Sequence, residues 1–140
     1  MAGGAGNDTL VSGGSGRDQL LGGDGRDLFE FVAKTAPALG VEADILDWEA
    51  SDQLSFAAVS ILSVNSILPP GYSEFVTSDY AEALRIADEH ISAAGATYVA
   101  AQVGGDVYVF ADTGDPADGA DIAIRLVGRS LADISLGNFG

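Results

Sequence analysis

The sequence predicts a mainly β fold: a short parallel β-roll of nonapeptide repeats, then a β-rich cap with one α-helix. Three observations predict it. A glycine-rich nonapeptide recurs three times near the start, short runs alternate apolar with polar residues through the rest, and one stretch carries helical spacing. The division expected is residues 1–56 for the repeats and their closing segment, and residues 57–140 for the cap.

Nine of the 19 glycines lie between Gly3 and Gly25. Gly3-Gly4-Ala5-Gly6-Asn7-Asp8-Thr9-Leu10-Val11 is followed, after Ser12, by Gly13-Gly14-Ser15-Gly16-Arg17-Asp18-Gln19-Leu20-Leu21 and by Gly22-Gly23-Asp24-Gly25-Arg26-Asp27-Leu28-Phe29-Glu30. Each unit reads G-G-x-G-x-D-x-U-x, where U is Leu10, Leu20 or Phe29. The first six residues suit a turn whose backbone visits φ > 0 and turns its carbonyls inward. The last three suit a short strand with U facing a narrow core. Two units make one coil of about 18 residues, so turns stack on alternate sides. A flexible linker has no reason to put Asp sixth and Leu or Phe eighth three times over.

A cation between stacked turns meets Asp carboxylates and backbone carbonyls, and such hard oxygen donors suit Ca²⁺ better than Mg²⁺ or Zn²⁺. The expected donor positions are Gly3, Ala5, Asn7 and Asp8, then Gly13, Ser15, Arg17 and Asp18, then Gly22, Asp24, Gly25, Arg26 and Asp27. Asp8 and Asp27 share one site in this count. Asp18 lies on the other side and needs a partner further along. The one-residue insertion at Ser12 bears most on Asp8.

Leu28-Phe29-Glu30-Phe31-Val32 alternates as a strand, and residues 33–43, with Pro37 and Gly40, form a loop. In the closing segment, Asp44 to Phe56, Asp44 is the expected partner of Asp18 and Asp47 a further metal position. Asp47 and Asp52 read either as ligands or as turn caps. Residues 57–76 are apolar, with turn chemistry at Pro69-Pro70-Gly71. A helix starts at Asp79 as N-cap, with Glu82 completing a capping box and Gly95 past its end. Its stripe is Tyr80, Leu84, Ala87 and Ile91. Thr97–Val103, the turn Gly104-Gly105, and Val107–Ala111 read as a hairpin, with Asp121–Val127 a further strand and residues 131–136 the tail. A repeat stack exposes its last core layer, so the helix stripe and the 97–111 strands are expected to cover Phe29 and Phe31.

Six Lys+Arg against 21 Asp+Glu leave a formal charge of −15, which argues against nucleic acid and anionic membrane surfaces and permits cations. The acids are 15 Asp and 6 Glu, a skew towards the shorter, stiffer oxygen donor. No apolar run reaches the length of a membrane span, and hydrophobic residues, at 47%, suffice for a sizeable core. Without cysteine there is no disulfide or thiolate site. The single histidine, His90, falls mid-helix beside Glu89 and reads as a surface or boundary residue. No nucleophile turn occurs, so no enzyme is expected. Arg85, Arg125 and Arg129 read as ion-pair partners. Asp112, Asp115, Asp118 and Asp121 fall within ten residues; this loop is either a second Ca²⁺ site, with Asp112 and Asp121 as ligands, or a solvated hairpin loop. Tyr72, Tyr80, Tyr98, Tyr108 and Trp48 are either core or a sugar-stacking surface. The chain opens with neither a basic start nor an apolar h-region, so no N-terminal secretory signal is expected. Met1-Ala2 reads as a start cut into a longer repeat array.

The nonapeptides, with Asp44-Ile45-Leu46-Asp47-Trp48 and Ser51-Asp52-Gln53-Leu54, resemble the C-terminal part of an RTX protein, whose closing segment reads D-x-I-x-D-F…G-x-D-x-I/L. Trp48 stands for the usual Phe and Ser51 for the usual Gly. Tyr98–Asp112 with Leu126–Ile134 resembles the bluetail C-terminal domain of bacterial surface proteins and, more loosely, the end of the serralysin β-roll domain. The resemblance implies Ca²⁺ as cofactor and export by a type I secretion machine that reads the C-terminus. It implies a secreted, extracellular or bacterial cell-surface location. It does not imply protease activity, because H-E-x-x-H is absent. The alternative it leaves is a carbohydrate-associated or adhesin end module, with a surface polysaccharide as partner.

Overall fold

A computed structural model of the chain describes residues 1–12, 17–31, 40–56, 71–93, 96–112 and 119–139. The strands are β1 (Ala2–Ala5), β2 (Thr9–Ser12), β3 (Asp18–Asp24), β4 (Leu28–Phe31), β5 (Ala43–Ile45), β6 (Gln53–Phe56), β7 (Tyr72–Thr77), β8 (Tyr98–Val103), β9 (Asp106–Ala111) and β10 (Ile122–Leu126); the helix is α1 (Tyr80–Ser92). The fold is mainly β, with one helix and parallel sheets among the described residues. Predicted features at Gly13, Ser15, Val32, Pro37, Pro69, Pro70, Gly95, Asp115 and Asp118 lie outside them.

Along the first 56 residues the chain passes back and forth between two sheets. β1, β3 and β5 pair in parallel in one, and β2, β4 and β6 pair in parallel in the other. Thr9 lies opposite Leu28 and Ala2 opposite Leu21, a step of 19 residues. That is two nonapeptides plus the inserted Ser12, so the insertion is absorbed without loss of register. Leu28 lies opposite Gln53, a longer step of 25 that takes in the loop before β5. Each of the three repeat apolar positions faces the core: Leu10 is 2% exposed, and Leu20 and Phe29 are fully buried.

One expectation needs correction. The glycine-rich halves of the repeats are not turns throughout. β1 runs through Gly3, Gly4 and Ala5, and β3 through Gly22, Gly23 and Asp24, with Gly4 opposite Gly23 and Ala5 opposite Asp24. Gly23, at φ +94°, sits so close to the Gly4 carbonyl that a Cβ would collide with it, and Gly25, at φ +139°, stands likewise against the Gly6 carbonyl. Bare backbone lets the ladder run on into what spacing alone reads as loop.

The seven-stranded sheet runs β1-β3-β5-β10-β9-β8-β7. β10 adds in parallel to β5, with Ile124 opposite Ala43 and Leu126 opposite Ile45. β9 and β8 follow antiparallel through the expected Gly104-Gly105 turn, and β7 closes the edge in parallel to β8. The inner face of this extension, Ala100, Val107, Val109, Ile124 and Leu126, joins Leu20, Ile45, Trp48, Leu54 and Phe56 in one core. The outer face, Val99, Ala101, Phe110 and Ala123, takes the helix.

The N-cap forms as expected, Glu82 N–H donating to Asp79 Oδ1 at 2.8 Å, but the Glu82 carboxylate pairs with Arg85 instead of returning to the cap. Ala83, Ala87 and Ile91 are buried, with Tyr80 and Leu84 packed beside them. The stripe therefore does not cover Phe31, as expected of it; it lies on the far side of β8–β10. The cover is aromatic instead. Phe31 stacks on Phe56 at 5.4 Å between centroids, Phe56 meets Tyr98 at 5.8 Å, and Tyr98 stacks on Phe139 of the tail at 4.2 Å. No helix among the described residues is long and apolar enough to cross a membrane.

The glycine stacking gives a direct test. Gly23→Ala forces both a Cβ collision and a strained φ, and should cost about 2–4 kcal/mol at the first coil. Gly40, whose Cβ direction is open, should accept alanine with little change. Amide hydrogen exchange across β1 and β3 reads both variants: β1 should lose protection in the first and keep it in the second.

Candidate functional site

The turns between the two sheets bring Asp8, Asp27 and Asp52 into one row, each in a successive coil. Asp8 N–H donates to Asp27 Oδ1 at 2.9 Å, and Asp27 N–H donates to Asp52 Oδ1 at 3.0 Å. Each aspartate thus holds the backbone of the one before it. Asp52 is satisfied on both oxygens, its Oδ2 accepting from Glu49 N–H at 2.8 Å. Asp8 Oδ2 and Asp27 Oδ2 are buried and have no hydrogen-bond partner. Asp27 as a whole is only 1% exposed.

Glycine makes this burial possible. Asp27 Oδ2 occupies the space that a Cβ on Gly22 would fill, and Asp8 Oδ2 lies 2.7 Å from the Cβ position of Gly3, with the Gly22 carbonyl at 2.6 Å. The first glycine of each unit is therefore a seat for the sixth-position carboxylate of the same unit. Burial pushes the Asp52 carboxyl above its ordinary range, and the nearby Asp27 and Glu49 charges add to this against the two backbone hydrogen bonds.

Two partnerless carboxylate oxygens are acceptors awaiting a donor or a cation, and a buried unpaired carboxylate is costly by several kcal/mol. The donor chemistry fits Ca²⁺: carboxylate oxygens with backbone carbonyls close by in the stacked turns. Other expected donor positions have local partners. Asn7 Oδ1 accepts from Arg26 N–H at 2.9 Å, pinning one turn to the next. Asp24, Gly25 and Arg26 are exposed. Among the described residues no three carboxylate or imidazole side chains gather on one point. Any cation at this site therefore draws on carbonyl oxygens as well.

The opposite flank is arranged differently. Asp18 Oδ2 accepts from Ser12 Oγ at 2.7 Å, so the inserted serine is itself a partner of the expected ligand. Asp44, expected beside Asp18, faces two guanidinium groups. Arg17 Nε and Nη2 grip its two oxygens at 2.8 and 2.6 Å, and Arg125 Nε reaches Oδ1 at 2.7 Å. Burial would push the Asp44 carboxyl up, but the hydrogen bonds and charges of Arg17 and Arg125 outweigh it and hold the carboxyl below its ordinary range. The repeat position at Arg17 thus brings a cationic side chain. Asp47 serves as a turn cap, its two oxygens accepting from Gly22 N–H and Gly23 N–H at 2.8 Å each.

In the cap, Asp112 N–H donates to the Thr97 carbonyl and Asp121 N–H to the Ala111 carbonyl. The residues between them, 113–118, lie outside the described set. His90 Nδ1 pairs with Ser73 Oγ at 2.6 Å, and its ring meets the edge of Phe75, which suits the boundary role expected of it. Arg129 donates to the Trp48 carbonyl, a backbone tie where an ion pair was expected. Trp48 is fully buried and Tyr98 is 6% exposed, so these two are core and not a sugar-stacking platform. The roles of Ser12, Arg17 and Asn138 are not readable from spacing. Arg17 alone leaves a trace, as one of six basic residues in so acidic a chain.

Comparison with protein-family models, with curated proteins and with solved structures finds no match.

Asp44→Asn should cost about 2 kcal/mol at neutral pH, less than for a fully buried pair because Arg17 is 45% exposed. The sign with pH follows from the lowered pKa of Asp44. Its contribution is present above the unfolded-state value and is lost as pH falls through the folded-state value. Urea unfolding at several pH values should therefore show the wild-type advantage at pH 7 and its loss in acid.

Proposed function

We propose that the chain is the calcium-binding C-terminal module of a bacterial surface or extracellular protein exported by a type I secretion machine. In this reading residues 1–56 are a β-roll that folds on Ca²⁺ after export, and residues 57–140 are its capping and secretion domain. The observation that carries it is the pair of buried, partnerless oxygens, Asp8 Oδ2 and Asp27 Oδ2, in glycine-rich turns of consecutive coils.

Bound Ca²⁺ would supply two positive charges and a hard centre that accepts many oxygen ligands. The chain's own residues do the rest. Asp8 and Asp27 hold carboxylates one coil apart, and the glycines keep the turns thin enough for carbonyls to lie beside them. Asp47 and Asp52 fix the turn backbone by capping its N–H groups. The flank at Asp44 carries its own cations in Arg17 and Arg125.

A net charge of −15 favours an extended chain where free calcium is low, as like charges repel and the glycines lose much entropy on ordering. External Ca²⁺ reverses that balance. One ion that binds only the folded form contributes about 2.7 kcal/mol at a hundredfold excess over its Kd. Coupling of this kind suits a protein that must be threaded through a narrow exporter and folded outside.

Far-UV circular dichroism in EDTA, Ca²⁺ and Mg²⁺ tests the reading: millimolar Ca²⁺ should order the first 56 residues, and Mg²⁺ should not replace it. Identical spectra in EDTA and Ca²⁺ would sink it. Calorimetric titration adds the site. Asp27→Ala should lose far more calcium affinity than Asp24→Ala, since Asp27 is buried with a partnerless oxygen and Asp24 is exposed at a strand end.

A further inference from the structure

The C-terminal tail reaches back to the row of aspartates through one side chain. Asn138 is 6% exposed. Its Oδ1 accepts from Ser135 N–H at 2.9 Å, which fixes the ring of the amide, and its Nδ2 donates to the carbonyls of Ala50 and Asp52, both at 2.9 Å. Around it, Gln53 Nε2 donates to the Gly137 carbonyl, and Phe139 bridges to Leu54. The loop holding Asp52 is thus clamped from the tail, 86 residues away in sequence.

From Asp52 the connection continues inward. Its Oδ1 holds Asp27 N–H, and Asp27 Oδ1 holds Asp8 N–H, which leaves the two remaining oxygens free for a cation. We propose that Asn138 and Asp52 are positioning residues for the Asp8/Asp27 site, so that docking of the C-terminal tail sets its affinity for calcium. The proposal rests on the reading of Asp8 and Asp27 as calcium ligands. Its physical content is a relay with one hydrogen bond per step. Asn138 sets the carbonyls of the 50–52 turn, the turn aims the Asp52 carboxylate, and that carboxylate fixes the backbone from which the Asp27 side chain projects. A side chain that starts from a fixed backbone loses less freedom on binding, so the clamp favours the bound state. Tail docking would then report completion of the chain to its first coils, since the tail is the last part to leave an exporter that threads the chain N-terminus first or to fold after one that works the other way.

Asn138→Asp keeps the oxygen that accepts from Ser135 and turns the donor into an acceptor facing two carbonyls. Calorimetric titration with Ca²⁺ should show about a tenfold loss of affinity, the scale for residues that orient metal ligands without touching the metal. Ala87→Gly, a destabilising change in the helix remote from the row, should leave affinity within about twofold. Equal losses in the two variants would mean that Asn138 acts only on general stability, and an unchanged Asn138→Asp would break the relay; either overturns the inference while leaving the calcium reading intact. A wild-type chain that binds no Ca²⁺ overturns both.

The wild-type chain supplies a second readout that no folding defect can obscure. Coupling is reciprocal, so calcium must be felt at the tail. In a nitrogen-resolved NMR titration of the folded protein, the Asn138 side-chain amide and the Asp27 backbone amide should shift with one midpoint. The Gln102 side-chain amide, bonded to the Gly104, Asp106 and Arg129 carbonyls, should stay in place. A stationary Asn138 amide overturns the inference.

Discussion

Coil lies directly on coil in the first part of this protein, and the rest of the structure follows from the spacing this imposes. Parallel strands sit about 4.8 Å apart, and turns that join them must stack at the same interval. At Gly23 and Gly25 the carbonyl of the coil next door stands where a side chain would be, and at Gly3 and Gly22 a carboxylate does. Only glycine meets that condition. It does so at high conformational cost, because a glycine-rich chain has the most freedom to lose. Thin turns also bring their acidic side chains together, one per coil, with little water between them.

The protein answers that crowding of charge in two ways. On one flank Asp44 is neutralised within the chain, between Arg17 from the turn before β3 and Arg125 from β10. Because these three residues come from three neighbouring parts of the seven-stranded sheet, the cluster also selects the register in which β5 meets β10. Buried ion pairs give back in desolvation much of what they gain, so specificity of pairing is the better account of such a cluster. On the other flank Asp8 and Asp27 keep an oxygen each with no partner, and a cation from outside is the natural complement. The contrast gives one side of the stack a permanent tie to the cap and the other a conditional one.

The second half is built on the first as a continuation of the same sheet. β10 adds to β5 in parallel, so the inner faces of β8–β10 carry the core onward without a seam, and α1 shields the face turned away. The open end of the smaller sheet is closed by a run of rings from Phe31 through Phe56 and Tyr98 to Phe139, and Trp48, within 6.2 Å of Phe29, is tied at both ends, by its indole to the Asp133 carbonyl and by its own carbonyl to Arg129. The last ten residues therefore hold parts of the molecule that precede them by more than eighty positions.

Local rules were enough for much of this. The nonapeptide period determined the core positions at Leu10, Leu20 and Phe29 and the pairing of Asp8 with Asp27, because a period with one strand per repeat admits one stacking register. Helical spacing with an Asp cap determined α1, and two adjacent glycines between alternating runs determined the β8–β9 hairpin. What the tertiary structure decided is where each surface goes. The stripe of α1 is equally suited to either face of a sheet, and only the closure of β10 on β5 leaves the outer face for it. Asp18 and Asp44 look alike in sequence to Asp8 and Asp27, but a carboxylate's partner depends on which side chains the fold brings within about 3 Å, and Arg125 comes from 81 residues away. The same holds for Asn138. A short polar side chain near a terminus carries no periodicity, and its place beside Asp52 is set by the folded backbone.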